Sequence, residues 1–272
     1  MIPNIIHFIF GLKHDFGGKP FSLVHYLSIK SACDVNKPEK VYFHYCYEPS
    51  GYWWDQIKPL LTLNHVEVPE SIFGNKLHHF AHKADILRLE MLRKFGGIYM
   101  DLDTISVKPL LELYQGHDFV IGQQFTHEPF SMRIKRSLKT LDYKYLLNRG
   151  LCNAVILASK DNPFVNIWYD SYRTFRSTGR DEYWDEHSVI IPRKLATKHK
   201  DLVKIVSPYR FHYPIYDLQG LSNLFAQKRA FPDAYVHHLW ETLSWDPYLK
   251  HLTPDQIYQV DSTYNVLARR HL

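Results

Sequence analysis

Two short stretches decide the fold: residues 84–88 read ADILR, and residues 95–103 read FGGIYMDLD. The first belongs to a segment whose apolar residues recur at i, i+3, i+7 and i+11, which predicts a helix over residues 79–95. Gly96 ends this helix, and a short β-type run follows, leading into two carboxylates one residue apart. The pattern brings several charged side chains toward one loop.

The two carboxylates belong to Asp101 and Asp103, which flank Leu102. Side chains two residues apart on an extended segment point the same way, so both carboxylates can face one cation. Oxygen ligands of this kind suit Mg²⁺ or Mn²⁺ held together with phosphates of a substrate. The alternative is a solvated loop that merely carries paired acids.

Asp85 and Arg88 lie three residues apart and therefore on one face of the predicted helix. An internal ion pair is one interpretation. Because buried charges are costly unless other groups use them, ligand binding is the other. Arginine offers a rigid fork for phosphate or sugar hydroxyls, and a glycine pair such as Gly96-Gly97 lets a ligand approach the backbone.

Elsewhere, strands and helices alternate, which predicts an α/β layer with parallel strands. The predicted strands cover residues 5–9, 40–45, 66–68, 98–100, 119–122 and 153–158, with a last strand or loop at 236–240. The predicted helices cover residues 22–32, 52–63, 79–95 and 163–176, whereas residues 177–220 read as irregular.

Composition bounds the class of protein. The chain has 272 residues, 45% hydrophobic and 22% charged, which is ordinary for one globular domain. The net charge of +5 is spread along the chain, which argues against a nucleic-acid partner and leaves at most peripheral association with a membrane. Three scattered cysteines, no signal-peptide pattern and no apolar run of membrane-spanning length predict a cytoplasmic protein or an excised catalytic domain.

The motif Asp85-x-x-Arg88, followed by Gly96-Gly97-Ile98-Tyr99-x-Asp101-x-Asp103, resembles the DXD-motif sugar-binding glycosyltransferases. That family includes the yeast initiating α-1,6-mannosyltransferase, α-1,4-galactosyltransferases and bacterial capsule enzymes, and the motif is also similar to that of the clostridial glucosylating toxins. Further blocks resemble the family in the same order: IPNIIHFIFG at residues 2–11, Asn153-Ala154, and the stretch from His238 to Ser244-Trp245.

The resemblance implies a GT-A glycosyltransferase fold, in which a Rossmann-like, mainly parallel sheet is flanked by helices and holds the donor at its carboxyl edge. It implies one catalytic domain over 1–272, with a nucleotide-sugar half at 1–110 and an acceptor-side and closing half at 111–272. The implied activity is metal-dependent, retaining transfer of a hexose from a nucleotide-sugar to a glycan or polysaccharide hydroxyl. The sugar, the base (uridine or guanosine), the acceptor and the linkage stay open.

The resemblance also assigns roles. Asp85, Arg88, Asp101 and Asp103 are the expected catalytic residues. Asp101 and Asp103 would bind Mn²⁺ (or Mg²⁺), together with either His238 or Glu241. Residues expected to bind the donor are His7, Phe10, Gly11, Asp85, Arg88, Gly97, Tyr99, Asp101, Leu102, Asn153, Ser244 and Trp245. Among these, Phe10 would stack on the base, Asn153 would line the sugar pocket, and Ser244 with Trp245 would close over the diphosphate.

Several of these motifs admit a second interpretation. His237-His238 could be a capped strand end, and Trp245 a core aromatic. Asp185-Glu186-His187 could supply acceptor-side acids, within the acceptor stretches 113–150 and 177–220, or form a solvated loop. The string DLDT at 101–104 matches the D-x-D-x-T of haloacid-dehalogenase phosphatases, and a non-catalytic carbohydrate-binding protein on the same fold is a further alternative.

Overall fold

The computed structural model describes residues 1–125, 131, 134, 137–138 and 149–272. Part of the acceptor stretch expected at 113–150 therefore lies outside the described residues. Within the described ranges, no helix combines the length and the apolar character needed to cross a bilayer.

A seven-stranded sheet forms the centre of the fold. In chain order its strands are β1 (Ile5–Phe10), β2 (Lys40–Tyr45), β3 (Thr62–His65), β6 (Gly97–Met100), β8 (Phe119–Phe125), β9 (Arg149–Ala158) and β10 (Lys204–Val206). Their spatial order is β10-β8-β9-β6-β1-β2-β3. Two small antiparallel pairs accompany it: β4 (Ser71–Ile72) with β5 (Asn75–Lys76), and β7 (Thr104–Ser106) with β11 (Val236–His238).

Strand direction agrees with the predicted mainly parallel sheet. The pairs β1·β2, β1·β6, β2·β3 and β8·β10 are parallel, whereas β9 runs antiparallel to both β6 and β8. A long antiparallel strand inserted between parallel neighbours aims residues from the second half of the chain at the strand that precedes Asp101.

Helices cover both faces of the sheet. They are α1 (Leu23–Asn36), α2 (Tyr52–Ile57), α3 (Phe80–Phe95), α4 (Leu111–Tyr114), α5 (Pro163–Ser171), α6 (Ile191–Lys198), α7 (Leu218–Phe225), α8 (Glu241–Ser244), α9 (Pro254–Gln259) and α10 (Thr263–Ala268). One core cluster joins α1 to β1, β2 and β6, and a second joins α3 and α5 to β6, β8 and β9. Because strand residues alternate in direction, Ile98 belongs to the first cluster and Tyr99 to the second, so β6 is buried on both faces.

Two sequence predictions of local structure were wrong. The helix predicted over 52–63 ends at Ile57, because Pro59 cannot occupy a helix interior and lies in a 3₁₀ turn, and the third strand follows at Thr62–His65 instead of 66–68. The segment 177–220, predicted as irregular, contains α6 and β10 and the start of α7. Both elements that lie wholly inside it are short, so their periodicity is weak.

A chain of hydrogen bonds crosses the sheet beneath the loop that joins α3 to β6. Asn64 Nδ2 donates to His44 Nδ1 at 2.8 Å, His44 Nε2 and His7 Nδ1 lie 3.0 Å apart, and His7 Nε2 lies 2.8 Å from the carbonyl oxygen of Gly96. Since the Gly96 carbonyl can only accept, His7 donates from Nε2. Burial lowers the pKa of His7 to about 4, so at neutral pH its Nδ1 is unprotonated and accepts from His44 Nε2. This relay of hydrogen bonds requires both imidazoles to be neutral.

The relay supports the glycine turn that the sequence singled out. Gly96 and Gly97 have φ values of +66° and +110°, and a Cβ at Gly97 would lie 2.5 Å from the carbonyl oxygen of Ile5. Only glycine adopts this conformation at such close backbone approach without strain. The turn and the relay together set where β6 begins, and hence the position of Asp101 directly after the strand.

The neutral histidine relay predicts a loss of stability in mild acid. Burial lowers the pKa of His7 to about 4 and that of His44 to about 3. Between those values and the ordinary pKa near 6.5, the unfolded chain binds more protons than the folded one. Stability is therefore fully present above about pH 6.5 and is lost as the pH falls, by about 2 kcal/mol per histidine at pH 5.

Urea unfolding at pH 7.5 and pH 5 measures this effect. We expect His44→Gln to reduce the difference in unfolding free energy between the two pH values, whereas His251→Gln, at an exposed histidine, leaves it unchanged. An equal pH dependence in both variants would contradict the role given to the relay.

Candidate active site

A cleft of about 570 Å³ opens at the carboxyl ends of β1 and β6. Parallel α/β sheets commonly bind ligands at this edge. Residues from both halves of the chain line the cleft. Phe10 ends β1 and Gly11 follows it, Asp101 to Asp103 follow β6, and His238 and residues 240–243 come from the C-terminal part. Its volume suits a ligand of nucleotide size.

Different parts of the chain fix the carboxylates of Asp101 and Asp103. Asp101 continues the ladder with β9 by donating its N–H to the Ala154 carbonyl at 2.8 Å, and its Oδ1 accepts from the Tyr99 hydroxyl at 2.6 Å. Asp103 Oδ2 accepts the backbone N–H of Glu241 at 2.7 Å and lies 3.3 Å from His238 Nε2.

His238 reaches the acids because β11 pairs antiparallel with β7, which places His238 opposite Thr104. Asp101, Asp103 and His238 offer two carboxylate oxygens and one imidazole nitrogen that lie within 4.8 Å of one another. Such a set of donor atoms fits a divalent cation of the Mn²⁺ or Mg²⁺ type.

Glu241, the other candidate for this position, turns its carboxylate elsewhere. One oxygen lies 3.0 Å from Lys19 Nζ and the other 2.9 Å from His25 Nε2. The structure therefore brings His238 to the acid pair, while Glu241 contributes its backbone N–H to Asp103.

Electrostatic interactions shift the pKa values of the two acids in opposite directions. Burial raises the pKa of Asp101 above its ordinary range. Burial acts in the same direction on Asp103, but the adjacent His238 and the N–H of Glu241 outweigh it and lower the pKa of that carboxyl. For His238 burial lowers the pKa, yet the Asp103 carboxylate prevails and raises it. Asp103 is thus the acid more readily ionised.

Arg88 is the buried cation behind the acid pair. Its guanidinium donates to the Asn153 carbonyl at 2.7 Å, lies 3.3 Å from both Asp85 and Asp101, and stacks 4.5 Å from the centre of the Tyr99 ring. Burial alone would lower the pKa of Arg88, but the neighbouring acidic groups, Asp101 first, outweigh burial and raise the pKa above its ordinary value. The guanidinium therefore stays charged. The predicted Asp85–Arg88 ion pair exists, and Arg88 also lines the cleft.

The structure places the expected donor-binding residues in three groups. One group lines the cleft: Phe10, Gly11, Arg88, Tyr99, Asp101 and Leu102. Asp85 and Asn153 lie behind Arg88 and bond to each other, with Asn153 Nδ2 donating to Asp85 at 2.7 Å. They hold Arg88 in place from outside the cleft.

The four remaining expected donor-binding residues also lie outside the cleft. His7 and Gly97 lie beneath it, in the relay and the glycine turn described above. Ser244 is fully buried and donates to the Leu239 carbonyl at 2.6 Å. Trp245 belongs to a core cluster with α1, which is the core-aromatic alternative, because residues after α8 turn back into the protein.

Several cleft residues were not predicted. Lys19, Phe16 and Arg180 come from loops, and Tyr216 and Trp240 from the C-terminal part. Phe16 stacks on Phe10 with ring centres 5.5 Å apart, doubling the aromatic wall. Isolated loop residues carry no periodic signal, so the sequence alone could have suggested only that aromatic residues are abundant.

The acidic stretch near residue 185 does not form a solvated loop. Glu186 is buried and its carboxylate pairs with Arg176 at 2.6 Å, while the buried His187 ring lies 3.1 Å from the Ser171 carbonyl. His187 thus contacts the end of α5 and Glu186 pairs with Arg176 beyond it, so both side chains belong to the scaffold.

Comparison with known proteins places this geometry in context. The model of the family described as "Glycosyltransferase sugar-binding region containing DXD motif" matches residues 36–124. The chain is 34% identical over 275 residues to the protein named glucan organizing enzyme 1 of Cryptococcus neoformans var. grubii, covering 99% of this chain and 70% of that protein. The crystal structure of mouse xyloside xylosyltransferase 1 is similar in fold, with a TM-score of 0.55, 12% identity, and coverage of 89% and 99% of the two chains.

Removing Arg88 should leave the buried carboxylate of Asp85 and the half-buried carboxylate of Asp101 without their cation. We expect Arg88→Ala to lower the free energy of unfolding by about 3 kcal/mol or more, because an unpaired buried charge is expensive. Arg173→Ala is the matched control, since Arg173 and Asp170 form an exposed pair 3.6 Å apart, and it should cost under about 1 kcal/mol. Equal losses in urea unfolding of the two variants would contradict a buried structural charge at Arg88.

Proposed function

The chain belongs to the family of glycosyltransferases whose sugar-binding region contains the DXD motif, and from this premise we propose that it is a metal-dependent, retaining hexosyltransferase. It is an enzyme with a GT-A fold. The proposed donor is a nucleotide-sugar and the proposed acceptor a hydroxyl of a glycan or polysaccharide. Family membership decides against the phosphatase and the non-catalytic alternatives.

One observation carries the proposal: Asp101, Asp103 and His238 converge to within 4.8 Å in a cleft that Arg88 also lines. Glycosyltransferases of this type generally use a divalent metal, and these residues fit one by the chemistry of their donor atoms. We propose Mn²⁺, with Mg²⁺ as the substitute. When bound, such an ion supplies positive charge against the diphosphate of the donor.

Protein cations support binding of the same anion. Lys13, Lys19, Arg88 and Arg180 line the cleft beside the acids. Arg88 is fixed by Asp85, Asn153 and Tyr99, so its charge costs little reorganisation when negative charge develops on the departing nucleoside diphosphate. Catalytic roles for Asp85, Asp101 and Asp103 are part of the proposal, with Asp85 acting by positioning Arg88.

Retention can proceed through a covalent intermediate or by attack on the face of the leaving group. Three carboxylates line the cleft among the described residues, and each is engaged: Asp101 by Tyr99, Asp103 by the N–H of Glu241, and Glu241 by Lys19 and His25. This supports front-face attack, with a phosphate oxygen of the leaving group accepting the acceptor's proton. A trapped glycosyl adduct on Asp85 or Asp185 would refute it.

We also propose that residues 1–110 form the donor half and residues 111–272 the acceptor and closing half. The aromatic wall of Phe10 and Phe16 is the proposed site of base stacking. Tyr216 and Trp240, which come from the C-terminal part of the chain, would face the sugars. Asn153 then acts through Arg88 rather than on the sugar directly.

A panel of nucleotide-sugars tests the proposed function. Thermal shift with and without Mn²⁺ should identify the donor, and release of nucleoside diphosphate should then report donor hydrolysis. We expect Asp103→Asn to abolish the Mn²⁺-dependent shift and to lower turnover about 10²-fold or more, with the fold intact by circular dichroism. Asp246→Asn, at an exposed carboxylate, is the control. Unchanged activity in Asp103→Asn would exclude the metal role.

Phe10 offers a separate prediction. We expect Phe10→Ala to raise the KM for the donor while leaving kcat near its original value, because stacking on the base holds ground state and transition state alike. Phe10→Trp should keep a low KM. Phe73→Ala, at an exposed ring remote from the cleft lining, controls for general effects of losing an aromatic side chain. A fall in kcat alone would contradict the stacking role.

A further inference from the structure

A second cluster of metal-ligand side chains lies directly behind the acid pair. Cys152, His212 and His238 offer one sulfur and two imidazole nitrogens within 4.8 Å of one another. All three residues are buried: Cys152 is 5% exposed, His212 0% and His238 9%. They come from three separate parts of the chain, namely β9, the segment after the 3₁₀ turn Pro208–Arg210, and β11.

Backbone contacts build this cluster. Cys152 stands opposite Gly122 in the β8·β9 ladder, at the point where the register shifts. A Cβ at position 122 would lie 2.9 Å from His212 Nε2, so only the missing side chain of glycine admits the imidazole beside Cys152. The N–H of His238 donates to the Phe211 carbonyl at 3.2 Å, which fixes the two histidines side by side with ring centres 6.0 Å apart.

Three of the four ring nitrogens of His212 and His238 have no hydrogen-bond partner among the described residues. Among the described residues, neither ring nitrogen of His212 has a hydrogen-bond partner, and His238 Nδ1 has none either. Leaving a buried polar atom unpaired is costly, so three such atoms in one place call for a ligand. His238 Nε2 faces Asp103, which leaves Nδ1 as the atom available on the other side of that ring.

We propose that Cys152, His212 and His238 form a second metal site, distinct from the acid pair, that takes a thiophilic divalent cation of the Zn²⁺ type. A thiolate and two imidazoles are soft to borderline ligands, which suit Zn²⁺ and disfavour Mg²⁺. Binding releases the thiol proton of Cys152 to solvent and satisfies one nitrogen on each ring. Three protein ligands leave one tetrahedral position for a water.

The site shares His238 with the proposed donor metal. Its two ring nitrogens face opposite sides, so an ion on Nδ1 would fix the ring's orientation and leave the ring proton on Nε2, facing Asp103. To bind the donor metal as well, His238 would release that proton to solvent and bridge the two ions as imidazolate. The second site thereby positions His238. This inference stands apart from the proposed function, because the residues that test it, Cys152 and His212, do not line the cleft.

Cobalt titration of the purified full chain tests the proposal without any donor. After removal of metals with a chelator, Co²⁺ alone should produce the near-ultraviolet charge-transfer absorption of a cobalt–thiolate bond, and added Zn²⁺ should abolish it. Zinc should also raise the thermal midpoint of unfolding. The absence of a cobalt–thiolate band in the folded wild-type chain would overturn the proposal. A cluster that holds only water, so that added Zn²⁺ leaves the thermal midpoint unchanged, would overturn it as well.

Matched variants assign the band to the cluster. Cys152→Ser should lose it, and Cys46→Ser, at a half-buried cysteine, should keep it. Asp103→Asn should also keep it, since this change disables only the donor metal. If Cys152→Ser fails to fold by circular dichroism, His212→Gln supplies the second test and should weaken or shift the band. A band that survives loss of either ligand would mean that cobalt binds elsewhere, and would refute the site.

Discussion

The buried guanidinium of Arg88 is the charge on which the surrounding structure depends. It touches side chains or backbone of α3, β6 and β9 together, through Asp85, Tyr99, Asp101 and Asn153. Taking these charges out of water is costly, and only their mutual proximity and shared hydrogen bonds offset that cost. A single cation thus ties a helix, a parallel strand and an antiparallel strand to one geometry, and leaves Asp101 at the edge of the cleft.

The acid pair depends on residues far away in the chain. Asp103 is held by β7, which pairs with β11, and this pairing delivers His238 and the N–H of Glu241 from more than a hundred residues downstream. Behind them lie the thiol of Cys152, the imidazole of His212 and Nδ1 of His238, and these three ring nitrogens have no hydrogen-bond partner among the described residues. Gly122 leaves the space that the His212 ring occupies. The cleft and the cluster behind it therefore share one strand and one histidine, so that any ion held on one side of His238 constrains the other.

The helix α3, the glycine turn and the strand before Asp101 were predictable because their signals are local. Apolar residues recur at helical spacing, glycine ends the helix, and a β-type run follows. The elements around residues 52–68 were misplaced because the effect of one proline outweighed a short periodic pattern. His7 was expected to bind the donor, yet its ring contacts His44 and the Gly96 carbonyl, which no local pattern reports.

Three features could be derived from the sequence alone: the α/β class, the spacing that puts Asp101 and Asp103 on one side of a strand end, and the shared helix face of Asp85 and Arg88. These follow from backbone periodicity, which acts over a few residues. Long-range packing brought His238 rather than the Glu241 carboxylate to the acid pair, buried Ser244 and Trp245, and assembled Cys152, His212 and His238. Those outcomes depend on strand pairing and burial between distant segments, where competition among partners for a buried carboxylate or ring settles the geometry.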